Sequence, residues 1–309
     1  VTVAPPLLVI AGATATGKTG LAIRLARRLV ADGMPTEIIS ADSRQVYRGL
    51  DIGTAKATVE EREGIPHHGL DLVEPDQAFT LADYAEHARQ ALAGIADRDG
   101  LAILVGGTGL YLRAVARGIA TEALPADTAI RTRIEEELAT EGLDLLVARL
   151  MELAPVRASR VDARNPRRVV RALEMAEIEG DAPPPRPRGY DGPVAWVGLS
   201  LDRTTHREWI ATRARAQFDA GLIEEARALR ARFDPGLPAF SAIGYREAWD
   251  VLDGRLDREA AIAADATRNA SFAKRQRTWF RAEPDITWLD AATDPLDAVA
   301  RLVQSDLLR

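Results

Sequence analysis

Residues 7–26 read LLVIAGATATGKTGLAIRLA. The run LLVIA at 7–11 has the length and β-branched, apolar character of one buried strand. The next eight residues, GATATGKT at 12–19, fit the G-x-x-x-x-G-K-[ST] phosphate loop at every fixed position. An amphipathic pattern then continues to about Val30 and predicts a helix. Strand, loop and helix together form an anion cradle. Glycines let backbone N–H groups turn toward phosphate oxygens, Lys18 adds a point charge, and the Thr19 hydroxyl is a ligand for Mg²⁺. The helix N-terminus adds its dipole.

Further alternation extends this start into a sheet. EIISADS at 37–43 reads as a second strand ending at Asp42, and LAILVGGTG at 101–109 as another ending in a glycine turn. VAWVGLSL at 194–201 and DITWLD at 285–290 are two more strand-like runs. Strands alternating with helices predict an α/β fold with a P-loop NTPase-like parallel sheet flanked by helices. From about 113 to 190 only helical spacing is found, ending in the Pro/Gly-rich stretch DAPPPRPRGYDG. The expected organisation is therefore a first part of the core at 1–112, a helical insertion at 113–190, and the remainder of the core at 191–309. The last part is helical around 204–218, 222–232, 241–252 and 257–280.

Composition narrows the function classes. The chain has 309 residues, 47% of them hydrophobic, enough for a substantial core. No apolar run approaches the roughly 18 residues of a membrane span. The first residues lack a basic stretch before the apolar run, so no secretory signal is expected there. Absence of cysteine removes disulfides, thiol catalysis and thiolate metal sites. Net charge is −6, yet RASRVDARNPRRVVR at 157–171 holds six arginines against one acid. RNASFAKRQRTWFR at 268–281 holds five basic residues and no acid. Two basic segments in an acidic chain suit a polyanionic partner, although basic helix faces are commonly just solvated.

A motor ATPase or GTPase needs a later strand ending in Asp to hold magnesium. Here that strand ends ILVGGTG, whose glycines let a ligand approach the backbone around Thr108. Asp42 instead sits at the carboxyl end of the second strand, the edge where open parallel sheets bind ligands. A carboxylate there can take a proton from a nucleophile. It can equally serve as a helix N-cap, and the residues leave that choice open. His67 and His68 are adjacent, so in extended chain they point oppositely and do not share a metal. Structural or substrate-lining roles are expected of them.

Several segments together resemble one family. They are GATATGKT, DSRQVYRGLDIGTAK (42–56), IPHHGLDLVEP (65–75), GGTGLYLRA (106–114), RRVVRALEM (167–175), AIGYREAW (242–249) and AKRQRTWFR (273–281). In order and spacing, over nearly the whole chain, they are similar to tRNA dimethylallyltransferases. The resemblance implies transfer of a dimethylallyl group from dimethylallyl diphosphate to N6 of an adenosine beside the tRNA anticodon, with Mg²⁺ and no ATP. It implies that Gly12, Thr14, Ala15, Thr16, Gly17, Lys18 and Thr19 hold the diphosphate, Thr19 also meeting the metal. Asp42 becomes the general base, and Thr108 and Arg213 complete the catalytic set. Contacts to tRNA fall to Asp42, Ser43, Arg44, Gln45, Thr108 and Arg131. Arg167, Arg168, Val169, Val170 and Arg171 would grip the anticodon stem-loop. A further tRNA contact runs through Lys274, Arg275, Gln276, Arg277, Thr278, Trp279, Phe280 and Arg281. A cytoplasmic monomer is expected.

The chain departs from the family pattern at named positions. Ala13 and Thr16 replace the usual Pro and Ser, without removing a phosphate-binding group. Arg44 stands where an apolar residue is common, and Arg164-Asn165 where Asn-Asp is usual. Asn269-Ala270 occupies the place of a Thr-Arg pair; Thr267-Arg268 lies two positions upstream, so Arg268 is not given the family role. A P-loop small-molecule kinase, a transferase acting on free adenine nucleotides, and a non-catalytic RNA-binding protein are the competing readings.

Overall fold

The computed structural model describes residues 4–119, 121, 126–182 and 186–308. Outside these lie residues 1–3 and 309, Pro183 to Pro185 of the expected linker, and residues 120 and 122–125 of the expected insertion. Two compact units result: residues 1–118 with 189–309, and residues 119–188.

In the first unit β1 (Leu7–Gly12) leads through the phosphate loop into α1 (Lys18–Ala31). β2 (Thr36–Ser40), β3 (His67–His68), α2 (Leu81–Ala96), β4 (Leu101–Gly106) and α3 (Gly109–Ala116) follow. The second unit contributes α4 (Thr128–Glu141), α5 (Leu143–Leu153), α6 (Pro155–Ala158) and α7 (Pro166–Glu179). The chain then returns to the first unit with β5 (Val194–Ser200), α8 (Arg203–Asp219), α9 (Leu222–Arg230) and α10 (Tyr245–Leu252). It closes with α11 (Arg258–Arg281), β6 (Ile286–Asp290) and α12 (Leu296–Leu302).

The six strands are parallel, in the order β3-β2-β4-β1-β5-β6. Every residue of β1 is buried, because a central parallel strand is covered on both faces. Its alternation divides the core. Leu8 and Ile10 pack with Leu21, Leu25 and Leu29 of α1 and Val299 of α12. Leu7, Val9 and Ala11 face the opposite layer, with Tyr84 of α2, Leu112 of α3 and Phe280 of α11. The sheet edge above β1, β2 and β4 is thereby left for ligands, as the parallel topology dictates.

Two expectations need correction. The second strand stops at Ser40, so Asp42 stands two residues beyond it, in the turn. The helix at 81–96 is not among the sequence expectations, although Tyr84, Ala88, Ala91, Leu92 and Ile95 form its buried face.

The second unit has its own small core of Ile134, Leu146, Leu150, Val169, Val170 and Leu173. Within it Glu174 is fully buried, and both its oxygens are engaged by Arg131, at 2.9 and 3.0 Å. Arg171 pairs with the same carboxylate at 2.7 Å, and the Asp127 N–H donates to it at 2.9 Å. A buried carboxylate persists only with such partners.

Candidate active site

The phosphate loop is fixed at one residue from several directions. The Thr14 N–H donates to Gln276 Oε1 at 2.7 Å, and its hydroxyl accepts from Arg213 Nη1 at 2.7 Å. His206 Nε2 donates to the Thr14 carbonyl at 2.8 Å. Within the loop, the Thr16 hydroxyl and Lys18 Nζ both donate to the Ala13 carbonyl, at 2.9 and 2.6 Å. Ala15 and Gly17 have φ of 58° and 76°. At Gly17 only glycine takes that conformation without cost, whereas Ala15 carries it as local strain of about 1 kcal/mol or more. These left-handed residues turn successive N–H groups to one side, the geometry of an anion nest.

A cleft of about 230 Å³ opens over the loop, lined by Thr14 to Gly20, Asp42, Gln45, His67, Gly107 and Arg213 among others. Its cations are short of compensation. Burial, then the neighbouring Arg213, lower Lys18 to about 7, and Asp42 counters this in part. Arg213 is likewise pulled down by burial and supported by Asp42 and Asp265. An entering polyanion restores the missing countercharge.

Asp42 caps a turn, not a helix, and lines the cleft. Its Oδ1 accepts the Arg44 N–H at 2.8 Å, closing a turn, while the carboxylate lines the cleft. Among the described residues Oδ2 accepts no hydrogen bond. Thr108, at the start of α3, ties the two neighbouring turns together. Its hydroxyl accepts the Ser43 N–H at 3.1 Å, and its own N–H donates to the Ala41 carbonyl at 3.1 Å. Close approach of those turns requires Gly106, where a Cβ would strike the Ala41 carbonyl. Gln45 is held by Ser40 at 2.8 Å and by the Thr54 carbonyl at 3.1 Å. Arg44 reaches away, to the Pro238 carbonyl at 3.0 Å.

The two histidines separate as adjacent strand residues must. His67 donates through Nδ1 to the Ile65 carbonyl at 2.7 Å and lines the cleft, whereas His68 meets Glu37 at 2.6 Å. Among the described residues no group of three or more His, Cys, Asp or Glu is gathered for a metal. Thr19 does line the cleft.

Several residues expected at tRNA face inward instead. Gln276 is buried and spans from Thr14 to the Gly107 carbonyl, the latter at 2.9 Å, so it braces the loop against the end of β4. Phe280 is in the core beside β1, and Val169 and Val170 are in the core of the second unit. Helical periodicity turns these side chains away from the exposed face that carries their basic neighbours. Arg277 donates to His206 Nδ1 at 2.8 Å. Trp279 is half-buried, with Arg113 4.4 Å above its ring. Lys274, Arg275, Thr278 and Arg281 are exposed, as are Arg167 and Arg168. Arg131 and Arg171 are tied to Glu174. Gln276 as a loop brace and His206 as a loop contact were not anticipated, since nothing local in either helix marks them.

With this geometry in place, relatives can be compared. The family model described as IPP transferase matches residues 45–283, which defines an isopentenyl-group transferase. A tRNA dimethylallyltransferase of Anaeromyxobacter sp. (strain K) is 46% identical over 304 residues, covering 96% of both chains. One from Bifidobacterium longum (strain NCC 2705) is 41% identical over 302 residues, covering 96% of this chain and 90% of that one. Among solved structures, the tRNA isopentenylpyrophosphate transferase of Bacillus halodurans is similar at TM-score 0.71 and 36% identity, covering 98% and 97%. A eukaryotic dimethylallyltransferase acting on tRNA is similar at TM-score 0.75 and 25% identity, covering 97% and 78%. The chain belongs to the tRNA dimethylallyltransferase family of prenyltransferases.

Proposed function

We propose that the chain transfers a dimethylallyl group from dimethylallyl diphosphate to N6 of the adenosine adjacent to the tRNA anticodon, releasing diphosphate. The observation that carries this reading is one cleft lined by a phosphate loop, two cations and a carboxylate: Lys18, Arg213 and Asp42. The loop amides, Lys18 and Arg213 would hold the donor's diphosphate and stabilise the charge it gains as it leaves. The acceptor N6 has a delocalised, weakly nucleophilic lone pair. As N6 attacks, its bond to the allylic C1 forms and the C1–O bond breaks, the electron pair going to the diphosphate. The N6 proton passes to the Asp42 carboxylate, whose Oδ2 is available for it. Such an adenine must leave its stack to reach the cleft.

Magnesium fits this donor set. Mg²⁺ favours a few protein oxygens completed by water and substrate phosphates over an all-protein cage, and the Thr19 hydroxyl in the cleft offers such a ligand. When bound, the ion would neutralise part of the diphosphate charge. Arg167 and Arg168, exposed and without a carboxylate partner among the described residues, would meet phosphates of the anticodon stem-loop, as would Lys274, Arg275 and Arg281. Within the second unit, Arg131 and Arg171 would add positive charge beside Arg167 and Arg168 from their places on Glu174. No helix among the described residues is long and apolar enough to cross a membrane. A cytoplasmic monomer accords with this reading.

The deciding experiment compares acceptors. Label from dimethylallyl diphosphate should appear in tRNA without ATP; label in free AMP but not in tRNA, or ATP-dependent phosphorylation of a small molecule, would overturn the assignment.

A further inference from the structure

On the β5–β6 side of the phosphate loop, α8 and α11 enclose a groove of about 560 Å³, separate from the donor cleft. Arg203 and Arg207 stand one turn apart on α8, facing Lys274 and Arg277 on α11. Arg281, one turn beyond Arg277, stands at the rim of an adjoining chamber of about 290 Å³. None of these five cations forms an ion pair with a carboxylate among the described residues. The repulsion is felt within the cluster: burial and then Arg203, Arg281 and Arg207 all lower the Arg277 guanidinium. An acidic chain of net charge −6 that concentrates four such cations on one groove, with a fifth at the adjoining chamber, is built for a polyanion.

The chamber decides which polyanion. It shares His206 and Arg277 with the groove, and its walls are apolar: Ala13, Leu199, Leu201, Phe280 and Trp288. Trp288 is 41% exposed, leaving ring surface accessible. Its position is set by Gly198, where a Cβ would lie 2.6 Å from the indole. A cationic stripe of about 10 Å along α11, by helical rise, beside an aromatic platform is the arrangement that binds single-stranded nucleic acid. Phosphates follow the cations and bases stack on rings. A free inorganic anion would use the groove and leave the chamber idle.

We propose that the α8–α11 groove binds a single-stranded stretch of the RNA backbone through Arg203, Arg207 and Lys274, with one unpaired base other than the acceptor adenosine lodged against Trp288. The inference rests on tRNA being the acceptor. His206 is already saturated: Arg277 donates to its Nδ1, and its Nε2–H donates to the Thr14 carbonyl. It therefore forms the floor of the groove and leaves recognition to the cations and Trp288.

The test uses the full chain and an anticodon stem-loop RNA carrying 2-aminopurine at each loop position in turn. Arg203→Ala/Arg207→Ala should reduce the slope of log K against log salt by about 1.4, at about 0.7 per single-strand phosphate contact. Trp288→Leu should weaken binding about five-fold or more. It should also restore fluorescence at one loop position distinct from the modified adenosine. All three side chains are exposed, so unchanged melting temperatures separate these effects from misfolding. Label transfer at saturating tRNA should stay at the wild-type rate in both variants. If the wild-type chain labels tRNA while the slope and all 2-aminopurine signals are unmoved, the groove assignment alone is wrong. If wild type fails to label tRNA, the functional reading fails first. AMP binding abolished by Trp288→Leu, at an affinity equal to that of the stem-loop, would replace RNA by a small nucleotide.

Discussion

Gln276 Oε1 accepts the Thr14 N–H at 2.7 Å, joining α11 to the phosphate loop across 262 residues of sequence. The same side chain donates to the Gly107 carbonyl, so one amide fixes the loop relative to the end of β4. Gln276→Leu leaves a half-buried N–H and a half-buried carbonyl without this partner, each costing up to about 1 kcal/mol. Steady-state kinetics should show kcat/KM for the prenyl diphosphate lowered roughly ten- to hundred-fold, with tRNA affinity near wild type. A variant that lost tRNA binding and kept donor kinetics would return Gln276 to the RNA interface.

Asp42→Asn separates the two roles of that side chain. The amide oxygen still accepts the Arg44 N–H, so the turn is preserved, but the group can no longer take a proton. Loss of a general base typically costs 10²–10⁴ in rate. Single-turnover transfer should slow by about that factor while donor binding, read by calorimetry, survives. Unchanged turnover would remove Asp42 as the base.

These two residues also mark what a sequence discloses. β1, the phosphate loop and α1 are legible because a doubly covered strand is a continuous apolar run and the loop chemistry is local. Asp42 is legible as a residue near a strand end, though only the structure shows its carboxylate holding a turn and lining the cleft together. Gln276 is not legible, since its partners lie in two distant turns. Val169 and Val170 lie in sequence among charges, yet at helical spacing they point into the core while Arg167 and Arg168 point out. β3 has two residues, too few to carry any pattern.

The second unit offers a contrast between charges that hold structure and charges that are free. Glu174 is fully buried and paired with Arg131 and Arg171. Removing one partner of a buried ion pair costs about 3–5 kcal/mol. Glu174→Ala should therefore lower the melting temperature distinctly, with an early, partial transition confined to this unit. Arg167→Ala/Arg168→Ala should leave melting unchanged and reduce the salt dependence of tRNA binding by about one to two contacts' worth of slope. Equal effects of the two variants on stability would mean that the exposed arginines also serve the fold.

Asp265 of α11 supplies a pH-dependent stability. It is 1% exposed, and its Oδ1 accepts from Asn269 Nδ2 at 2.8 Å, while its Oδ2 is buried without a partner. Burial pushes the carboxyl up from 3.8 to about 6, opposed by Asn269; Glu247 adds to the rise, and Arg213 and Arg268 oppose it. The folded state thus binds this proton more tightly than the unfolded chain. The stabilisation is complete below about pH 4 and is lost as pH rises through about 6. The difference corresponds to about 3 kcal/mol. Asp265→Asn, which stays neutral, should melt a few degrees above wild type at pH 8. The difference should vanish toward pH 4, where both side chains are uncharged. A gap of equal size at both pH values would show that Asp265 does not titrate in this range and that its ionised form is compensated by Arg213 and Arg268.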